Sequence, residues 1–302
     1  MKLVIATHAH DDHIAGVADI YMASHSARFV ASSALIAEEF LADVGADEEI
    51  EKLLKKSVRS EYRRVMEEAQ RRSKSAGVLP FTRAVEQRVL YSRAGSASAP
   101  SAKVIALSPS DQATERARQR FAMGLGQAGA RRKLSATDPN ECAIALWITV
   151  GDISALLGAD LIIGPSGCGW KAVDLTHHPD GLATLFKVPH HGSDNAHYEP
   201  TWDRLVADDA VALIAPYRPG RKPLPTDADI SRIAIRSGRV FQTASTKPPA
   251  SPKSLRRAQA SLAGVATRIW DSEGRSGHVR ARRNDQDTGW RVDLTEPAFR
   301  AR

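Results

Sequence analysis

The sequence predicts an α/β fold, because short apolar strand candidates alternate with helix candidates along most of the chain. The 302 residues are enough for one large or two small domains, and a chain of this length can bury a sizeable core without disulfides. Hydrophobic residues make up 42% of the chain and charged residues 25%, which is ordinary for a globular protein. These proportions exclude a collagen-like, a disulfide-rich or a globally disordered chain.

The strand candidates are short apolar runs bounded by polar residues. The first begins at Lys2 and leads into a histidine-rich segment, and a hairpin candidate turns at Gly151-Asp152. The predicted strands cover residues 2–7, 27–32, 103–107, 142–150, 153–157, 184–189, 210–216 and 239–243. Three more polar strands are predicted at residues 266–270, 277–282 and 289–294.

The helix candidates combine capping residues with apolar residues at helical spacing. The predicted helices cover residues 14–20, 33–44, 47–74, 111–123, 226–236 and 251–262. Residues 79–91 fit either a helix or a strand, and residues 124–140 are predicted to form a basic loop. We therefore expect a main domain over residues 1–245 with a helical insertion at about 45–90. A basic helix and a small β-rich appendage are expected over residues 246–302.

The composition also limits the expected location of the protein and its possible binding partners. No apolar run approaches the roughly 18 residues of a membrane span, and no signal peptide is visible after Lys2. Cys142 and Cys168 show no pairing pattern, so we expect free thiols and a cytoplasmic location. The formal charge of +7 is modest, and it permits a nucleic-acid or phosphate partner without requiring one.

The strongest chemical signal is the motif His8-x-His10-x-Asp12-His13 at the end of the first predicted strand. Imidazole nitrogens and carboxylate oxygens are ligands that zinc and similar divalent metals favour. A turn after the strand would direct His8 and His10 toward one metal, and Asp12 and His13 could turn toward a second. The alternative is a solvated turn rich in histidine and aspartate.

Two later segments place similar side chains just after apolar strands. Asp160 follows the apolar residues of the hairpin candidate, and His190-His191-Gly192-Ser193 follows another predicted strand. Each segment alone could be an ordinary turn or a solvated loop. Beside the first motif, both segments indicate one divalent metal centre.

These motifs resemble those of the metallo-β-lactamase fold superfamily, whose signature is HxHxDH, then a bridging aspartate and a late histidine. The chain looks most similar to the soluble hydrolase domain of DNA-uptake competence proteins. Beyond the HxHxDH motif, the matching residues are Asn140, 156–160, 187–193 and 225–243. The resemblance covers residues 1 to about 245 and implies an αββα sandwich that lacks its N-terminal strands.

The resemblance also implies a role for each motif residue. His8 and His10 would bind a first metal ion. Asp12 and His13 would bind a second, with Asp160 bridging the two. The ions would be zinc, one or two per chain, or alternatively manganese. A metal-bound hydroxide would be the nucleophile.

The late motif supplies the remaining predicted roles. His190 is favoured as the late ligand because it comes first after the strand, and His191 is the alternative. Asp12 and His190 are the predicted catalytic residues. Lys187, His191 and Ser193 are predicted to contact the substrate.

The chain departs from the superfamily pattern in two places. Most members have another histidine before the bridging aspartate, whereas here only His25 lies in that interval, and it comes too early. Cys142, His177 and His178 are the candidate substitutes. Members also have several strands before the HxHxDH strand. We therefore expect a late annotated start, a fragment, or a partner protein that completes the sheet and protects its edge.

Three functions follow from this reading. The leading one is a metal-dependent phosphodiesterase or nuclease, supported by basic segments at residues 116–120, 131–133, 218–222 and 256–257. The second is hydrolysis of a small ester, lactone or thioester, since the same metals would polarise a carbonyl. The third is a non-catalytic, metal-binding interaction subunit, with the predicted helix at 47–74 as its docking surface.

Overall fold

The computed structural model describes residues 1–35, 56–77, 80–125, 138–176, 178–218, 223–246, 277–284 and 287–302. A small parallel sheet has the order β1-β2-β3. Its strands are β1 (Leu3–Ala6), β2 (Arg28–Ser32) and β3 (Phe81–Ala84). Because β1 and β2 are parallel, a helical crossover must connect them. That crossover carries the first motif.

A larger mixed sheet has the order β13-β10-β9-β8-β7-β6-β5-β4. Its strands are β4 (Val89–Arg93), β5 (Ala102–Ala106), β6 (Leu146–Val150), β7 (Ile153–Leu157), β8 (Ala183–Lys187), β9 (Val206–Ile214), β10 (Arg239–Gln242) and β13 (Phe299–Arg300). Neighbours from β4 to β7 are antiparallel, and those from β7 to β10 are parallel. Strands β11 (His278–Arg282) and β12 (Arg291–Thr295) pair with each other.

The helices connect the strands and cover the outer faces of both sheets. They are α1 (Asp11–Ile14), α2 (Val17–Ala23), α3 (Lys56–Ala76), α4 (Asp111–Leu125), α5 (Asp138–Glu141), α6 (Gly169–Leu175), α7 (Glu199–Leu205) and α8 (Asp227–Arg236). Short 3-10 turns lie at Ser33–Leu35, His190–Gly192 and Asp194–Ala196. Among the described residues, no helix is both long and apolar enough to cross a membrane.

Strand alternation divides the apolar core into layers, because successive side chains point to opposite faces. In β1, Val4 packs against α2 and α3, whereas Ile5 packs toward the large sheet. In β6, Leu146 faces the small sheet, and Trp147 lies in a core shared with α6, α7 and α8. The order is therefore helices, small sheet, large sheet, helices. The predicted α/β class is confirmed as an α/β sandwich with a large mixed sheet.

Most predicted elements within the described residues are present, with ends shifted by a few residues. The hairpin at residues 142–157 forms as β6 and β7, and Gly151 takes the positive φ of 60° that its turn needs. Residues 79–91, which fitted either helix or strand, contribute β3 and the start of β4. Sequence analysis missed α6, α7 and β13. These elements are too short to show a periodic apolar pattern.

Residues from the predicted insertion and from the predicted C-terminal extension form strands of the two sheets. The later residues of the segment at 45–90 form strands that join both sheets. In the segment at 246–302, β13 pairs with β10 of the large sheet. The backbone N–H of Gly277 also donates to the Thr243 carbonyl, at 2.7 Å. The predicted elements at 251–262 and 266–270 and most of the basic loop lie outside the described residues.

A buried guanidinium attaches α3 to α2 and β2. Arg72 donates to the backbone carbonyls of Tyr21 at 2.7 Å, Ser24 at 3.1 Å and Ala27 at 3.2 Å. It also donates to Glu68 at 2.6 Å and lies 4.1 Å from the centroid of the Tyr21 ring. Hydrogen bonds from Arg71 and Arg72 lower the pKa of Glu68 to about 2, against the raising effect of burial. The carboxylate therefore stays ionised beside Arg72.

We predict that Arg72→Met lowers the free energy of unfolding by about 3 to 5 kcal/mol, because it leaves three backbone carbonyls and a carboxylate without their buried donor. The matched control is Arg71→Met, which removes a second arginine from the same carboxylate. The Arg71 side chain is 68% exposed and that of Arg72 only 10%, so the control should lose much less stability than Arg72→Met. Urea denaturation measures both variants, and equal losses would contradict the prediction.

Candidate metal centre

The candidate site lies where three strands end. The first motif follows β1, Asp160 follows β7, and the His190-His191 pair follows β8. Strands β7 and β8 are parallel neighbours, so their carboxyl ends lie at the same edge of the large sheet. The end of β1 is held there because the Ile144 N–H donates to the Thr7 carbonyl, at 3.0 Å. Each sheet thus contributes part of one site.

The loops after β7 and β8 fit together closely. The Gly158 N–H donates to the Lys187 carbonyl at 3.0 Å, and the His190 N–H donates to the Ala159 carbonyl at 3.0 Å. A Cβ at Gly158 would lie 2.9 Å from the Pro189 Cβ, so a side chain there would push the loops apart. This contact places Asp160 beside the histidine pair.

Asp160 is the centre of the cluster. Its Oδ2 lies 3.2 Å from His191 Nε2, 3.3 Å from His13 Nε2 and 3.8 Å from His8 Nε2. The side chain is only 2% exposed. One buried carboxylate therefore faces imidazoles from two separate segments of the chain, the first motif and the turn after β8.

The ligand atoms form two groups that share Asp160. One consists of Asp12, His13, Asp160 and His191, and the other of His8, His10 and Asp160. Within each group the ligand atoms lie within 4.8 Å of one another, so each could hold a metal ion. In this grouping His8 and His10 fall together, Asp12 and His13 fall together with His191, and Asp160 belongs to both groups.

Electrostatics in the cluster favour metal-binding protonation states for His8 and Asp160. Burial, and then the charge of His13, hold the pKa of His8 well below its usual value, so this imidazole is neutral. Burial alone would raise the pKa of Asp160, but hydrogen bonds from His13 and His191 outweigh it and keep the pKa below the usual range. A neutral imidazole and an ionised carboxylate are the forms that bind metal.

Buried polar atoms without a hydrogen-bond partner indicate which kind of ligand the cluster could bind. Among the described residues, His8 Nε2, Asp160 Oδ1 and Asn140 Oδ1 are buried side-chain atoms without a hydrogen-bond partner. Such atoms are uncommon in native interiors and call for an explanation. A divalent cation would satisfy His8 Nε2 and Asp160 Oδ1, because both are electron-pair donors. The donor set therefore fits a metal ion.

The structure differs from the expectation about the late ligand. His191, rather than His190, turns its Nε2 to Asp160, and its Nδ1 donates to the Ala215 carbonyl at 2.8 Å. His190 instead donates from Nδ1 to Asn195 Oδ1 at 2.8 Å, and its Nε2 lies 3.3 Å from the Asn140 amide nitrogen. The cause is the tight 3-10 turn after Pro189, which rotates the two rings apart. In this geometry His190 lies beside the ligands.

Two of the side chains that were predicted to contact the substrate make hydrogen bonds within the protein. The Lys187 ammonium donates to the Val188 carbonyl at 2.9 Å, and burial lowers the pKa of this lysine. Ser193 is buried and donates to Asp194 at 3.3 Å. Neither side chain belongs to a ligand group, and His191, the third predicted contact, is a member of one.

Of the candidate substitute ligands, Cys142, His178 and His25 lie outside both groups. Cys142 is buried against Ala113 and Cys168, and His178 lies 3.2 Å from the Val173 carbonyl. His25 is exposed. His177, the remaining candidate, lies outside the described residues.

Sequence reasoning missed the residues that orient the two late histidines. Asn195 accepts from His190, the Ala215 carbonyl accepts from His191, and the Tyr217 ring centroid lies 5.1 Å from that of His191. All three follow the motif in ordinary loop or strand-end sequence. Their roles depend on tertiary contacts, which a local sequence pattern does not predict.

Neither a protein-family model nor a curated protein matches the chain. The site therefore has to be interpreted from its own chemistry. That chemistry is a set of imidazole and carboxylate groups around one buried aspartate.

We predict that His191→Ala weakens zinc binding by at least about 100-fold, because it removes an inner ligand. His190→Ala serves as the matched control. It should cost no more than about 10-fold, because His190 only supports the site through its contact with Asn140. Competition against a chromophoric chelator measures both affinities. The reverse order would show that His190 is the ligand.

Proposed function

We propose that this chain is a metal-dependent hydrolase of the metallo-β-lactamase type, and that its substrate is a phosphodiester. The observation that carries the proposal is the sharing of buried Asp160 by two histidine and carboxylate groups. Two such groups suit a pair of divalent ions acting on one scissile bond. A structural metal site would need only one closed group.

The architecture supports the same proposal. Two sheets packed face to face with helices outside are what the αββα sandwich of that superfamily requires. The ligand groups lie where that resemblance puts the metals, at the edge shared by both sheets. Fold does not determine activity, so the ligand set remains the main support.

The ligand types suit zinc, and manganese is the alternative. His8 and His10 would hold one ion, whereas His13 and His191 would hold the other, with Asp160 in contact with both. When bound, such ions lower the pKa of water to about 7 and polarise a phosphoryl or carbonyl oxygen. Nitrogen and oxygen donors without thiolates are compatible with both metals.

The remaining geometry suggests the side from which substrate enters. Asp12 is 41% exposed, whereas His8 is 1% exposed. Asp12 Oδ2 also lies 3.5 Å from His13 Nε2 and 3.6 Å from His191 Nε2. Asp12 would therefore orient a reacting water or substrate group on the open side, while His8 closes the opposite side.

Two arginines, which are linked to His190 only through Glu141 and its neighbour Asn140, favour an anionic substrate. Arg116 and Arg120 on α4 lie 4.0 Å and 3.0 Å from Glu141. Glu141 follows Asn140, whose amide contacts His190. Guanidinium groups bind phosphate without reading its substituents, which suits a phosphodiester. The other basic segments lie outside the described residues, except for Arg218, which donates to the Ser245 carbonyl.

The pairing of these arginines is also compatible with a second substrate class. Both are paired with Glu141, which lowers their attraction for an anion. A small ester, lactone or thioester is therefore the alternative substrate. The two buried, free cysteines fit the reducing cytoplasm that we propose as the location.

We predict that the chain purified without chelator contains one or two transition-metal ions and hydrolyses a chromogenic phosphodiester. Asp160→Asn should lose most of the metal and fall to the uncatalysed rate, because both groups lose their shared ligand. Asp152→Asn, which changes an exposed carboxylate in the β6–β7 turn, is the matched control and should behave like the parent. Metal analysis and the hydrolysis rate test the prediction. A parent that binds no added zinc or manganese would refute it.

We predict a salt dependence that separates the two substrate classes. If two cationic groups contact the phosphates, log KM should rise with log salt with a slope of about 2, since each contact releases counterions. A neutral ester would give a slope near zero. Steady-state kinetics from low to physiological salt measure the slope, and a flat phosphodiester profile with rapid ester turnover would favour the alternative.

A further inference from the structure

The turn that carries His191 has an unusual backbone. His190, His191 and Gly192 have consecutive φ values of 43°, 56° and 85°. Residues other than glycine rarely adopt positive φ, and such conformations persist only where the surrounding structure enforces them. The position of the His191 ring therefore depends on the contacts that hold this turn.

One such contact comes from α8. The Arg232 guanidinium Nη2 donates to the Gly192 carbonyl at 3.0 Å and to Asp229 Oδ1 at 2.7 Å. The helix also lies close to the turn, since a Cβ at Gly192 would be 3.1 Å from Ile233 Cδ1 and 3.3 Å from Pro225 Cβ. Gly192 is thus held by one hydrogen bond and by close packing.

The residue that orients Arg232 is itself fixed. Asp229 is 5% exposed and belongs to a capping box at the start of α8. Its Oδ2 accepts from the Thr226 backbone N–H at 2.9 Å and from the Thr226 hydroxyl at 2.7 Å. Its other oxygen accepts from Arg232. The guanidinium is therefore held between the first turn of α8 and the ligand turn.

We infer that Arg232 is a positioning residue for the metal centre, an inference that rests on the proposed function. Arg232 belongs to neither ligand group. It acts through the Gly192 carbonyl, which holds the backbone of the turn so that His191 Nε2 stays 3.2 Å from Asp160 and 3.6 Å from Asp12. Groups that orient metal ligands from outside affect affinity by about 10- to 100-fold.

The two ligand groups depend on Arg232 to different degrees. The group with Asp12 and His13 includes His191, so it depends on the turn. The group with His8 and His10 does not include His191. Loss of Arg232 should therefore weaken the binding of one metal ion more than that of the other. A general loss of protein stability would not produce this difference.

The test compares Arg232→Met with Arg236→Met in the full chain. Arg236 lies one turn further along α8 and pairs with Asp203 and Glu199, so its loss removes a surface ion pair without touching the turn. Titration with cobalt(II), monitored by its visible absorption, reports both affinity and ligand geometry. We expect Arg232→Met to bind one of the two cobalt ions about 10- to 100-fold less tightly, with a changed spectrum. Arg236→Met should match the parent.

A conservative variant separates positioning from folding. Arg232→Lys retains one donor for the Gly192 carbonyl, so it should recover part of the affinity and of the parent spectrum, while thermal melting confirms that all variants are folded. Parent-like cobalt binding by Arg232→Met, or an equal loss in Arg236→Met, would overturn the positioning role alone. Failure of the parent to bind cobalt, zinc or manganese would overturn the proposed function as well.

Discussion

The centre depends on the contact between the two sheets, because each sheet carries only part of the ligand set. The small sheet supplies the first motif at the end of β1, and the large sheet supplies Asp160 and His191 after β7 and β8. Apolar side chains of β1 and β2 pack against those of β4, β5 and β6 between them. This burial of nonpolar area, rather than any bond between ligands, brings the imidazoles to the carboxylate.

Bringing these groups together has an electrostatic cost that the rest of the site reflects. Asp160 is almost fully buried, and His8 is kept neutral by its surroundings. The carboxylate is compensated by hydrogen bonds from His13 and His191, while its Oδ1 and His8 Nε2 have no hydrogen-bond partner among the described residues. A site arranged in this way holds its donors in place before a cation arrives, which reduces the reorganisation that binding requires.

Local pattern was enough to predict the strands, the hairpin and the residues that end strands. An apolar run followed by histidine or aspartate marks both a strand end and a side chain at the sheet edge, so Asp160 and the first motif were predictable. The choice between His190 and His191 was not, because it depends on positive φ values and on the Ala215 carbonyl. Arg232 was also unpredictable, since its partner Gly192 lies far from it in sequence. The short helices α6 and α7 lack a periodic signal because each makes only about two turns.

The order of the ligands along the chain has a consequence for biosynthesis. The first motif leaves the ribosome well before Asp160 and His191, which are translated only after the other two strands of the small sheet and half of the large one. During that interval the imidazoles of the first motif have no carboxylate partner from the large sheet. Closing the long stretch of chain between this motif and Asp160 is a slow step in folding. A metal ion captured at that stage would meet an incomplete ligand set. The ion would therefore be expected to enter after the two sheets have docked, through the side where Asp12 is exposed.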